Sequence, residues 1–224
     1  MSIKLKAYII TFLIFGGIAY LLFGNSLPSI PKFDFLSSLF DKKEETNKKS
    51  SKRTYKSKTG KEGQVVDSYK GVKVFHNGQV KNVFGRNTTK DGYNLGLKYQ
   101  CVEFGKRFFY EVYRHKMPNA SGNAKDFFDV HLANGAFNSK RGMYQFRNGN
   151  SEKPKKDDMG IIGPSSINKF GHLFIITKVN ATDVEFIQQN PGQTNPSRGR
   201  YQLINSNGKW TIKCPDLSGW LRMR

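Results

Sequence analysis

Tyr99-Gln100-Cys101-Val102-Glu103-Phe104-Gly105-Lys106-Arg107-Phe108-Phe109 is the stretch on which the reading of this chain turns. Phe104, Phe108 and Val112 recur at four-residue spacing, which predicts a helix with one buried stripe. Cys101 falls at the helix start, preceded by polar Gln100 and a glycine- and asparagine-rich loop from Gly85 to Gly96. A free cysteine on an apolar stripe ordinarily packs as a small hydrophobe. At a helix N-terminus, however, the unpaired backbone N–H groups and the partial positive charge favour a thiolate over the ordinary thiol. The N–H of Cys101 itself is placed to hold an oxyanion formed by attack from its own sulfur. Cys101 is therefore the candidate nucleophile.

A cysteine nucleophile needs a base, and the chain offers His76, His115, His131 and His172. His76 lies in a His-Asn-Gly turn signal, and His115 and His131 lie near helix ends among polar residues; each reads as a solvated surface histidine. His172 opens the apolar run Gly171-His172-Leu173-Phe174-Ile175-Ile176-Thr177-Lys178-Val179, anchored by packing at one end and open at the other. Strand alternation puts His172, Phe174 and Ile176 on one face, and Val184, Phe186, Gln188 and Asn190 on one face of the returning strand. An odd loop around Asn180-Ala181-Thr182 makes these faces coincide, so that Gln188 or Asn190 orients the imidazole. An even loop presents Gln189 instead. The odd loop is favoured because it also gathers Phe174, Ile176, Val184 and Phe186 into one core.

Around these segments, Val65-Val66, Val72–Phe75, Met159–Ile162, Gly171–Val179, Val184–Gln189 and Trp210–Lys213 read as strands. Asp126–Val130 reads as part of a second helix ending by Asn134-Gly135. Helices first and antiparallel strands after imply an α+β fold, folded from residue 64 to residue 224. The 18 Phe, 10 Tyr and 2 Trp supply ample core. Cys101 and Cys214 are the two cysteines; a disulfide between them would consume the nucleophile, so both are expected as free thiols.

The N-terminal third has a different character. Lys4 and Lys6 precede an uncharged run, Ala7 to Phe23, whose helix would span roughly 25 Å, near the short limit for crossing a bilayer. Residues 1–24 are accordingly expected to be a transmembrane anchor or an uncleaved signal. That arrangement predicts a single-pass membrane protein with its folded domain outside the cytoplasm. Residues 25–63 form a basic linker: from Asp41 to Glu62 there are nine Lys/Arg, four acids and almost nothing apolar, a composition that cannot bury a core. The linker and the net charge of +20 suit anionic wall polymer or lipid as partners. The lysines lack aromatic interleaving, so specific nucleic-acid binding is not expected.

The segments YQCVEFGKRFF, GHLFIITKV and VEFIQQN together resemble the CHAP family of cysteine, histidine-dependent amidohydrolases/peptidases. Within it the chain is most similar to the amidase domain of glutathionylspermidine synthetase/amidase, from about Val65 to Gly219-Trp220. The resemblance implies a papain-like α+β fold, with Cys101 as nucleophile, His172 as base, and no metal or cofactor required. Similar members often carry Glu where this chain has Gln188; a neutral amide can orient the ring but adds no charge to stabilise imidazolium. The expected activity is a membrane-anchored cysteine amidase or endopeptidase cleaving peptidoglycan through a thioester. Hydrolysis of a small peptide–polyamine conjugate such as glutathionylspermidine is the enzymatic alternative. A CHAP-fold module that binds wall polymer with little turnover is the alternative from another class.

Overall fold

The protein is described by a computed structural model covering Tyr55, residues 60–192 and residues 195–224. A hairpin comes first: β1 (Val65–Tyr69) returns as β2 (Val72–Phe75) through Lys70 and Gly71, both at positive φ (48° and 83°), the backbone of a primed two-residue turn. The turn residues His76-Asn77-Gly78 therefore close no hairpin between these strands. A short ladder of β3 (Arg86–Thr88) and β4 (Asn94–Leu97) occupies what the sequence presents as a loop.

Helix α1 (Cys101–Tyr113) follows. Its C-terminus closes with Arg114 in the left-handed region (φ 55°) and backbone bonds from Arg114 N to Tyr110 O and from His115 N to Phe109 O, which satisfy the last carbonyls. The helix buries Phe104, Phe108 and Phe109 as the four-residue spacing requires. The expected second helix is absent: Ala124–Phe127 makes a single 3-10 turn. Asn123 and Asp126 form a reciprocal capping box there, and the chain is extended again at Phe128.

The rest is an eight-stranded sheet in the order β11-β10-β9-β8-β7-β12-β6-β5, antiparallel throughout. Its strands are β5 (Phe137–Asn138), β6 (Met143–Arg147), β7 (Met159–Ile162), β8 (His172–Val179), β9 (Asp183–Ile187), β10 (Arg198–Ser206), β11 (Lys209–Ile212) and β12 (Leu217–Arg222). One core, with Phe104, Phe108, Leu173, Ile175 and Ile187, lies between α1 and the sheet. A second gathers Phe174, Ile176, Val184, Phe186 and Trp220. The architecture is thus mostly sheet with one α-helix among the described residues.

Among those residues no helix is long and apolar enough to cross a membrane, and the expectation of a single-pass, outward-facing membrane protein is corrected accordingly. The run Ala7 to Phe23 and the basic linker lie outside the described residues.

The β8–β9 hairpin corrects the loop argument too. Asn180 N donates to Asp183 O, and Val179 pairs with Val184, so the loop is even. A register shift between Ile176 and Lys178 inserts Thr177 as an extra residue, after which Ile176 faces Phe186 and Ile175 faces Ile187. One bulge changes the parity of everything beyond it. Phe174, Ile176, Val184 and Phe186 therefore share a core despite the even loop.

Candidate active site

Cys101 is the first residue of α1, and Gln100 is its N-cap in extended conformation (φ −80°, ψ 161°). Gln100 makes no side-chain cap bond to the helix. Its amide instead donates to Val80 O (3.2 Å) and Asn82 O (2.8 Å), leaving the first N–H groups of α1 open toward the sulfur. The backbone N–H groups of Leu173, Val102 and Cys101 itself favour its thiolate. Desolvation outweighs them and pushes the thiol up to about 11. Leu173, the neighbour of His172, packs against α1 at Gly105 and so sets the helix of Cys101 against β8. Both cysteines are free, Cys101 partly exposed and Cys214 buried.

His172 pairs with Ile162 across the β7–β8 ladder at the strand's first position. Its Nε2 lies 2.9 Å from Gln188 Oε1. The orientation of that amide is set independently: Gln188 Nε2 donates to Pro196 O at 3.1 Å, and Gln188 N donates to Ser197 O at 2.8 Å. With the carbonyl oxygen turned to the ring, the ring nitrogen facing it carries the hydrogen, and Nδ1 is left as the acceptor. Burial drives the imidazole down to about 4, against a smaller upward pull from Gln188. At neutral pH the arrangement holds a neutral thiol and a neutral imidazole. No hydrogen bond between Cys101 and His172 is present.

Asn190 does not meet His172. Its Nδ2 donates to Val80 O (2.9 Å) and Gln100 Oε1 (2.7 Å), so it braces the loop at Val80 against the residue before Cys101. It sits at φ 55°, where Asn is one of the few tolerated side chains. Two of the other histidines, His76 and His115, are less solvated than the sequence suggests. His76 is half-buried, accepts from Gly78 N–H (3.1 Å) and lines a cleft with Gln188 and Asn190. His115 meets Arg141 O at 2.8 Å, and His131 is exposed.

Behind the sulfur lies a polar cluster absent from the sequence reading. Glu103 and Arg107, one helical turn apart, form a buried ion pair at 2.6 Å, and Asn87 donates to Glu103 (2.7 Å). The i,i+4 charge spacing was its only signal in sequence. Gln189, fully buried, joins this cluster. Among the described residues no group of three or more His, Cys, Asp or Glu could hold a metal ion.

Cys101 thus heads α1, and His172, oriented by the Gln188 amide, heads β8. Residues 89–190 match the CHAP domain. The CHAP match takes in Cys101, His172, Gln188 and Asn190, bears out the resemblance seen in the sequence, and supports a hydrolase of the amidase/peptidase kind. Trypanothione synthetase of Crithidia fasciculata is 29% identical over 132 residues, covering 57% of this chain and 20% of that protein. The chain thus spans about a fifth of that relative's length. Two solved structures are similar over part of the chain: Ly7917 (15% identity, 46% of this chain and 47% of the other) and a wild-type endolysin, LysIME-EF1 (22%, 61% and 61%). Both have a TM-score of 0.32, too low to transfer anything to this CHAP match.

Proposed function

We propose that the chain is a cysteine amidohydrolase in which Cys101 is the nucleophile, His172 the base and Gln188 the residue that orients it. The observation that carries this reading is the His172 Nε2–Gln188 Oε1 bond of 2.9 Å, which leaves Nδ1 free as acceptor on the strand whose next residue, Leu173, packs against α1 at Gly105. Sγ attacks the amide carbonyl carbon while its proton passes to Nδ1. The C–O π pair moves to oxygen, where the N–H groups at the start of α1 hold the oxyanion. Collapse expels the amine, which takes the proton from His172, and leaves a thioester. Water then gives a proton to Nδ1 as it attacks; the acid departs and the thiol is restored. Because both partners rest neutral, proton transfer accompanies attack and is not stored beforehand as an ion pair.

The proposed substrate is a peptidoglycan amide. The chain's net charge of +20 suits a polyanionic wall, and the papain-like CHAP reading of the sequence suits peptide and amide bonds alike. A second reading, hydrolysis of a small peptide–polyamine amide, is favoured by the identity to the Crithidia fasciculata protein. The folded domain is taken as residues 64–224. Asn190 is assigned to holding the cleft wall, not to orienting the base.

The deciding experiment incubates the full chain, beside its Cys101→Ala variant, with purified peptidoglycan and separately with glutathionylspermidine. Products are identified by mass spectrometry. New amine and carboxyl ends from the parent alone identify the amidohydrolase and its substrate. Binding to peptidoglycan without product from either substrate would replace the enzyme by a wall-binding module.

A further inference from the structure

Two consecutive glutamines hold the two halves of the candidate site. Gln188 turns to His172, whereas Gln189 turns into the cluster beneath α1. Gln189 is completely buried, and all its hydrogen-bonding capacity is used. Its Nε2 donates to Gln100 O at 3.0 Å and to Glu103 Oε2 at 2.8 Å, the residues on either side of Cys101-Val102. Its Oε1 accepts from Phe75 N at 2.9 Å, at the end of β2, and from Arg107 at 3.4 Å. One side chain therefore ties the head of α1, the end of β2 and the segment leaving β9.

We infer that Gln189 is the positioning residue for the nucleophile: it fixes the head of α1 against the segment that carries Gln188, and so fixes Cys101 relative to His172. This rests on the proposed Cys101–His172 pair. The chemistry requires an amide at this position. Gln189 gives a donor to Gln100 O and to Glu103 Oε2 and an acceptor to Phe75 N–H and to Arg107, and only an amide supplies both. No carboxylate or apolar side chain of similar size meets all four. Loss of the donor side takes one of two hydrogen bonds from each acceptor flanking Cys101-Val102: Gln100 O keeps only Phe104 N–H at 3.2 Å, and Glu103 Oε2 keeps only Arg107 at 3.3 Å.

The test follows iodoacetamide alkylation of the full chain from pH 5 to 10, with Cys101 and Cys214 read separately by peptide mass spectrometry. Buried Cys214 reports whether the fold holds. In the parent, base assistance from His172 keeps Cys101 faster than in His172→Ala across the neutral range. Gln189→Met is expected to lower the Cys101 rate at pH 7 on the order of 10-fold, toward the His172→Ala profile, with Cys214 still protected. If Gln189→Met exposes Cys214, the decision passes to Gln189→Glu, which keeps the acceptor and loses the donor, and to the swap Gln189→Glu with Glu103→Gln. Recovery of the Cys101 rate in the swap is expected; a swap no faster than Gln189→Glu overturns the inference. Parent-like profiles in Gln189→Met and Gln189→Glu, with Cys214 protected, overturn it as well. A parent profile identical to that of His172→Ala instead refutes the catalytic pair, and the positioning role falls with it.

Discussion

At the residue scale the candidate site is governed by desolvation. Burial favours the neutral form of both titrating groups, and the consequences differ in sign. His172 is held down to about 4 from an ordinary value near 6.5, so its contribution to stability is full above about 6.5 and is lost as pH falls through about 4. Cys101 is held up to about 11, so its contribution is full below about 9 and is lost as pH climbs through about 11. Urea unfolding midpoints of the parent should drop between pH 6.5 and 4 by more than those of His172→Gln, which has nothing to protonate there. Gln188 offers a second prediction. In Gln188→Glu the carboxylate would stabilise the imidazolium and move the acid limb of activity upward from near 4. It would also face the Pro196 carbonyl, now 3.1 Å from the amide nitrogen, with no hydrogen to share. That loss should cost about 1 kcal/mol of stability, read by thermal or urea melts.

At the scale of elements, the relation between α1 and β8 matters most. Gly105 lets the helix sit close to the sheet: a Cβ there would lie 2.6 Å from Leu173 Cδ1, a side chain with no exposed surface. Gly105→Ala gains roughly 1 kcal/mol of helix propensity, yet overpacking a tight contact costs about 1–3 kcal/mol. The expected outcome is a modest fall in Tm with a larger fall in kcat, because the displaced Leu173 follows His172 on β8. Glu103 and Arg107 brace the same element from within. Arg107→Met strands a buried carboxylate and should destabilise the fold by about 3–5 kcal/mol in urea melts. The 3-10 turn at Ala124–Phe127 shows a limit of local pattern: Phe127 and Phe128 are both buried, but the capping box at Asn123/Asp126 leads into no further helical turn.

At the scale of the whole molecule, the strand order β9-β8-β7 brings together residues remote in sequence, with α1 against one face. The net charge of +20 predicts one property of the intact protein. Co-sedimentation with peptidoglycan bearing anionic polymer should weaken steeply as salt rises from about 0.05 to 0.5 M, since screening shortens to a few ångströms. Retention at high salt would instead mark short-range contacts as the source of binding.

The sequence by itself determined the chemistry-bearing residues and their local settings. Four-residue spacing made Cys101 the start of a helix, an apolar run made His172 the head of a strand, and three segments carried the CHAP resemblance. These are local signals, because helix and strand periods are properties of neighbouring residues. Only the tertiary structure decided which glutamine faces the imidazole. The loop parity pointed one way and the Thr177 bulge reversed it, since a single extra residue flips a strand's faces and leaves no mark in hydrophobic pattern. Strands β6 and β12 were likewise fixed by pairing between distant segments. The same holds for Gln189: its role is made of hydrogen bonds to Phe75, Gln100, Glu103 and Arg107, and such bonds exist only once the chain has closed on itself.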